Sequence, residues 1–252
     1  MQITLTGVEG LPLVSEGDDI AALIVDALKS SEMELLDGDI VVIAETLVAK
    51  AEGNTVDLRR IEPSRKALEI ASRTGKDPRL VEAILEESSE IIKVGHDFIV
   101  SETRHGFVCA NAGIDESNVE DGLATPLPED PDGSARRILE GLQKLTGREL
   151  AVIISDTQGR PFREGAVGVA VGVAGISPLW DRKGEVDLYG RNLQTTRVAV
   201  ADELAAAASL VMGQADEGIP AVIVRGYPWG HLHATGSARE LLRPRELDVF
   251  RD

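Results

Sequence analysis

The stretch from Ala151 to Ile176, AVIISDTQGRPFREGAVGVAVGVAGI, restricts the possible folds more than any other segment. Four apolar residues rich in β-branched side chains run into Asp156 and Thr157, the pattern of a buried strand that ends in an acid and a hydroxyl. Glycine follows, then Arg160 and Arg163 around Pro161 and Phe162. From Ala166 onward valine alternates with glycine or alanine, and period two is the period of a strand. Small residues on one face let another backbone or a ligand pack close. A chain carrying two such segments is expected to build a sheet, with something anionic near the two arginines.

The 252 residues are enough to bury a substantial core, as one large domain or as two lobes. A hydrophobic fraction of 43% and a charged fraction of 27% are those of a soluble globular protein. No apolar run reaches the roughly 18 residues that span a bilayer, so no membrane partner is expected. The start MQITLTGVEGLPLV lacks the basic, apolar and small-residue segments of a secretory signal. The single cysteine, Cys109, excludes an internal disulfide and a Cys-based zinc site and suits a reducing cytoplasm. Within GFVCANAG it reads as a small buried hydrophobe. With 26 Lys plus Arg against 43 Asp plus Glu, the formal charge of -17 opposes general nucleic-acid binding. An anionic ligand therefore needs a local basic pocket. Arg160, Arg163, Arg182, Lys183, Arg191 and Arg197 are candidates, with solvated surface charge as the alternative.

Apolar spacing predicts a helix over Asp19–Lys29 with Asp18 as its cap, and DIVVIAET, 39–46, reads as a buried strand whose polar end is Glu45-Thr46. Helices are expected from about Pro63 to Arg73 and from Pro78 through Ile92, the second capped by Asp77 and exposing Glu82, Glu86, Glu87 and Glu90. DFIVSET and GFVCANAG flank a hairpin turn at Arg104–Gly106. TPLPEDPDG, 125–133, is an extended connector between two halves of comparable length, leading to a helix over Ser134–Leu145. RVAVADELAAAASLVMG reads as a helix stopped by Gly213, and AVIVRG as a further strand. The tail SARELLRPRELDVFRD reads as a short helix and a proline-broken arm.

Three polar corners sit beside apolar runs: NAGIDESN, SDTQGR and MGQADEGI. A phosphate-bridging Mg2+ or Mn2+ uses one or two carboxylates plus phosphate and water oxygens, and Asp115 and Asp156 are a possible pair. An Asp at a strand end is equally a turn or cap residue, so spacing leaves both readings open. The sequence contains neither GxxxxGK[ST] nor GxGxxG nor GxSxG, which removes support for P-loop, Rossmann and serine-hydrolase sites. His96 and His105 stand apart, and His231 and His233 alternate without a third metal ligand to complete a site.

Taken in order, VEGLPLVSEGDD, AETLVAKAEG, VCANAGIDESNV, ISDTQGRPFREGAVGVAVGVAGI, DLYGR and ADELAAAASLVMGQADEGIPAVIVRG resemble the coenzyme F420-0:L-glutamate ligase family over about Val8–Gly226. The resemblance implies a mixed α/β (α+β) fold of two lobes within one domain, paired as an intertwined homodimer. It implies a cytoplasmic enzyme that uses GTP and Mn2+ or Mg2+, with K+ as an additional candidate ion. The implied reaction joins L-glutamate to F420-0, or dehydro-F420-0, through an acyl phosphate, and then adds glutamate by γ-linkage. A related ligase acting on another carboxylate and a non-catalytic nucleotide-binding protein are the rival readings.

Carried over residue by residue, the resemblance makes Asp115 and Asp156 ligands of one metal, and Thr157 with Gln214 ligands of a second. Leu11, Pro12, Leu13 and Val14 line the nucleotide, together with Glu45, Thr46 and Lys50, and Asn118 adds a polar contact. Met212, Gly213, Gln214, Ala215, Asp216, Glu217, Gly218 and Ile219 form the loop around phosphate or base. Arg160 and Arg163 are assigned to the phosphates or the anionic substrate. The tail near 237–252 resembles the junction to a C-terminal nitroreductase-like domain.

Overall fold

The structure, a computed structural model, describes residues 1–228 and 236–249. His231 and His233 lie outside the described residues. The elements in chain order are β1 (Thr4–Gly7), α1 (Ile20–Ser30), β2 (Ile40–Ala44), α2 (Glu45–Ala51), β3 (Val56–Asp57), α3 (Arg65–Thr74), α4 (Pro78–Glu87), β4 (Ser88–Val94), β5 (Ile99–Thr103) and β6 (Val108–Ala110). They continue with β7 (Leu123–Ala124), α5 (Pro131–Thr146), β8 (Ala151–Arg160), β9 (Arg163–Ala174), β10 (Trp180–Asp181), β11 (Arg197–Val198), α6 (Val200–Met212) and β12 (Ala221–Arg225). The mixed α/β content matches the expectation.

The main sheet has the order β1-β12-β2-β8-β9, in which only β2 and β8 run parallel. β2, IVVIA, and the first six residues of β8, AVIISD, are buried almost throughout, as continuous apolar runs require. The alternating Val/Gly/Ala segment is β9, and its small residues admit backbone. A Cβ on Gly168 would lie 2.5 Å from the carbonyl oxygen of Ala205 in α6, and one on Gly172 would lie 2.4 Å from that of Pro131 in α5. A second core, with Leu58, Ile70, Leu80, Val81, Ile84 and Ile99, lies under α3, α4 and the three-stranded sheet β4-β5-β6.

Several expectations need correction. Asp19, not Asp18, caps α1, accepting from the Ala22 N–H, while Asp18 accepts from that of Ser15. The helix predicted through Ile92 stops at Glu87, and Glu90 sits on β4. Pairing from Ser88↔Thr103 to Val94↔Ile99 supplies the backbone partners, and Ile91, Ile92 and Val94 suit a pleated surface better than a helix. The connector is shorter than expected, because Asp130 caps α5 by accepting from Gly133 and Pro131 occupies the first turn. Asp156 is not at a strand end: β8 continues to Arg160, turns at Pro161-Phe162 and returns as β9. The pairing skips Val171 between Ile154↔Gly172 and Ser155↔Ala170, a bulge immediately before Asp156.

Candidate active site

The parallel pairing of β2 with β8 ends at Ala44↔Ser155, where Glu45 leaves the sheet to begin α2 while the neighbouring Asp156 stays in β8. Ligands of α/β sheets commonly bind beyond the carboxyl ends of parallel strands. A cavity of about 500 Å³ opens at this point. Both carboxylates line it although each is less than a tenth exposed.

Three other segments close the cavity. After β6, Asn111, Ala112 and Gly113 take φ values of 54°, 55° and 71°, a left-handed turn that directs the chain back toward the sheet. Asp115 follows, its backbone fixed by exchange of N–H···O bonds with Thr125 at 3.0 and 2.8 Å. Ser117 holds both carboxylate oxygens of Asp115, its N–H donating to Oδ1 at 2.8 Å and its hydroxyl to Oδ2 at 2.6 Å. α2 contributes Lys50, whose Nζ donates to the Asn118 carbonyl. α6 ends at Met212 with Gly213 as its cap, and the loop beyond is folded by Glu217, which accepts from the N–H groups of Gln214 and Ala215 at 3.1 and 2.8 Å. Those bonds, that of Ala215 foremost, hold the Glu217 carboxyl below its usual range.

Asp156 is held as tightly as Asp115. The Thr157 N–H donates to its Oδ1 at 2.6 Å and the Gln158 amide to its Oδ2 at 2.7 Å. Burial raises the Asp156 carboxyl above the carboxylate range and outweighs these bonds, with the charge of Asp115 adding to the rise. Burial likewise raises Glu45 well above that range, and the charges of Asp156 and Asp115 push it further. Lys50 is lowered by burial, against the pull of Asp115 and Glu45. Among the described residues, the carboxylates of Glu45, Asp115, Asp156 and Glu217 thus share the cavity lining with one cation, Lys50.

The cavity gathers most residues that the sequence singled out. Leu11, Pro12, Leu13 and Val14 line one part, and Glu45, Thr46, Lys50, Asp115, Asn118, Asp156 and Thr157 another. Met212, Gly213, Gln214, Ala215, Glu217, Gly218 and Ile219 complete the loop side. Asp216, Arg160 and Arg163 do not line it. Arg160 instead donates to the carbonyls of Glu164 and Gly165 at 3.3 and 3.4 Å across its own hairpin. Arg182 pairs with Glu185 and stacks over Trp180, and among the described residues the cation that lines the cavity is Lys50. Sequence reasoning missed Ser117 and Gln158. The i, i+2 spacing of Asp156 and Gln158 on one strand was the available signal, because it puts both on one face.

The donor set fits a hard divalent cation. The buried carboxylates of Glu45 and Asp156, with no arginine among the described residues that line the cavity, match oxygen-only coordination, and Thr157 and Gln214 add neutral oxygens to the lining. Among the described residues no three His, Cys, Asp or Glu side chains come together closely enough to hold an ion by themselves. An ion here would draw further ligands from hydroxyl, amide, phosphate or water oxygens, as phosphate-bridging ions do.

Comparison with known proteins agrees with this geometry. The family model described as F420-0:Gamma-glutamyl ligase matches residues 10–226. The chain is 79% identical over 251 residues to the coenzyme F420:L-glutamate ligase of Methanothermobacter thermautotrophicus, covering all of both chains. It is 53% identical to the protein of the same name from Methanocaldococcus jannaschii, with 100% of this chain and 98% of that one aligned. To that of Archaeoglobus fulgidus it is 46% identical, over 100% and 97%. A family match over most of the chain, together with end-to-end relatives at these identities, places the protein in the F420-0:gamma-glutamyl ligase family.

Proposed function

We propose that this chain is a GTP- and divalent-metal-dependent ligase that joins L-glutamate to coenzyme F420-0, or its dehydro form, by an amide bond and then adds glutamate by γ-linkage. The observation that carries this reading is the carboxylate-lined cavity at the ends of β2 and β8, in a chain matched end to end by ligases named for that substrate pair.

A carboxylate is a poor electrophile. In the proposed reaction one of its oxygens attacks the γ-phosphorus of GTP, releasing GDP and forming an acyl phosphate. The glutamate amine then attacks the carbonyl carbon, the C–O bond to phosphate breaks, and inorganic phosphate leaves as the nitrogen loses a proton. In this reading Asp115 and Asp156 hold one divalent ion, and Thr157 with Gln214 a second. Such ions, when bound, neutralise phosphate charge and polarise the transferred group. Lys50 adds a positive charge on the same side, and its bond to Asn118 ties α2 to the loop that carries Asp115. Leu11 and Val14, which pack against the main core, supply an apolar wall for the nucleotide. Exposed Phe162, Leu188, Tyr189 and Leu210 supply apolar surface for the homodimer that belongs to the same reading.

The test is turnover with F420-0, L-glutamate, GTP and Mn2+, following product mass and GDP. Glutamyl additions matched by GDP support the reading. GDP released only with a different carboxylic acid favours a related ligase, and GTP binding with no GDP under any acceptor favours a nucleotide-binding protein.

A further inference from the structure

We infer that Gln158 is a positioning residue that sets the orientation of the Asp156 carboxylate for a divalent cation. The inference rests on the metal reading above and adds a residue to it. Asp156 and Gln158 lie two apart on β8 and therefore project to one face. Their cross-strand partners, Val169 and Val167, are apolar and offer no side-chain hydrogen bond. The Gln158 amide donates to Oδ2 of Asp156 at 2.7 Å while the Thr157 N–H donates to Oδ1 at 2.6 Å. Each carboxylate oxygen thus has one fixed donor, which sets the plane of the group and leaves a lone pair on each oxygen unused. Asp115 is held in the same two-donor manner by Ser117, so the two carboxylates are independently oriented where they face the cavity.

The donor's neutrality is the informative part. Arginine or lysine at 158 would orient the carboxylate equally well but would cancel the negative charge that a cation needs. A carboxamide orients without neutralising. Supporting groups of this kind commonly change metal affinity by about 10- to 100-fold when removed. Gln158 also lines the cavity, but its assigned role acts through Asp156.

The test is Mn2+ binding to the intact protein with a non-hydrolysable GTP analogue, read from the electron paramagnetic resonance signal of free Mn2+. Four forms are compared: native, Gln158→Met, Asp156→Asn and the double variant. Methionine keeps length and removes the donor. Gln158→Met is expected to weaken Mn2+ binding about tenfold with an unchanged thermal midpoint, and to have no further effect in the Asp156→Asn background. Gln158→Lys, which restores a donor but adds charge, is expected not to recover the native affinity. Native-like Mn2+ binding by Gln158→Met, or an equal loss with and without Asp156, overturns the Gln158 role. Absence of Mn2+ binding by the native protein overturns the metal reading, and the Gln158 role with it.

Discussion

Gly168 of β9 and Ala205 of α6 meet backbone to backbone: a Cβ on the glycine would lie 2.5 Å from the alanine carbonyl oxygen. The contact sets how close α6 lies to the sheet, and α6 ends at Met212, where the cavity loop begins. Gly168→Ala forces that helix outward. Overpacking of this kind costs about 2 kcal/mol. The thermal midpoint should drop by about 5 °C, and differential scanning calorimetry measures it. An unchanged midpoint would mean that α6 yields without cost.

Asp39, fully buried, accepts from Arg225 Nε at 2.8 Å and Nη2 at 2.6 Å, and from the Leu36 N–H at 2.8 Å. It joins the start of β2 to β12. Asp39→Ala strands three donors, although Arg225 keeps access to water, and the loss should be about 2 kcal/mol in urea unfolding. Lys29→Ala, which removes the exposed pair with Asp26, should change stability by less than about 0.5 kcal/mol. Equal effects from the two would contradict this ranking.

Cys109 is buried on β6, and burial, with the charge of Asp156 adding to it, pushes its thiol up to about 12. The thiolate is the reactive form, so at pH 8 alkylation of the native protein should be slower than that of the urea-unfolded chain by about a thousandfold or more. The sign of the linkage follows. An unfolded thiol ionises near about 8.5, so the stability owed to this group is fully present below that pH and is lost as pH rises toward about 12. Rapid labelling of the native protein at pH 8 would contradict the burial.

Lys50 is the one cation among the described residues lining the cavity. Its replacement by Met should weaken GTP binding about tenfold, or about 1.4 kcal/mol. Isothermal titration at two salt concentrations checks this, because a charge contact should also flatten the salt dependence.

Periodicity made β9 legible from its Val/Gly/Ala alternation, and the continuous apolar runs marked β2 and β8. It did not reveal α2. That helix has seven residues, begins immediately after a strand and is capped by no side chain, so local spacing carries almost no signal for it. Nor could local reasoning end α4 at Glu87, because the competing partner, β5, is fixed by tertiary pairing. The site divides in the same way. Asp156 and Asp115 stood out as acids beside apolar runs, but only the parallel register puts Glu45 beside Asp156. The assignment of Leu11, Lys50 and the 212–219 loop to one cavity came through resemblance. Sequence left the arginine-rich segment open between a basic pocket and surface charge, because it does not show that Arg160 bonds within its own hairpin and Arg182 pairs with Glu185.

The central claim is that phosphoryl transfer to a carboxylate takes place in the cavity containing Asp156. The most direct measurement uses F420-0 labelled with 18O in its carboxylate, with L-glutamate, GTP and Mn2+, and follows the label in inorganic phosphate. Attack by a carboxylate oxygen on the γ-phosphorus carries that oxygen into the phosphate when the amide forms. The native protein should release phosphate bearing one 18O for each amide formed. Asp156→Asn should release it at least about 100-fold more slowly while keeping the native thermal midpoint. Amide formation with unlabelled phosphate, or labelled phosphate formed at the native rate by Asp156→Asn, would contradict the account.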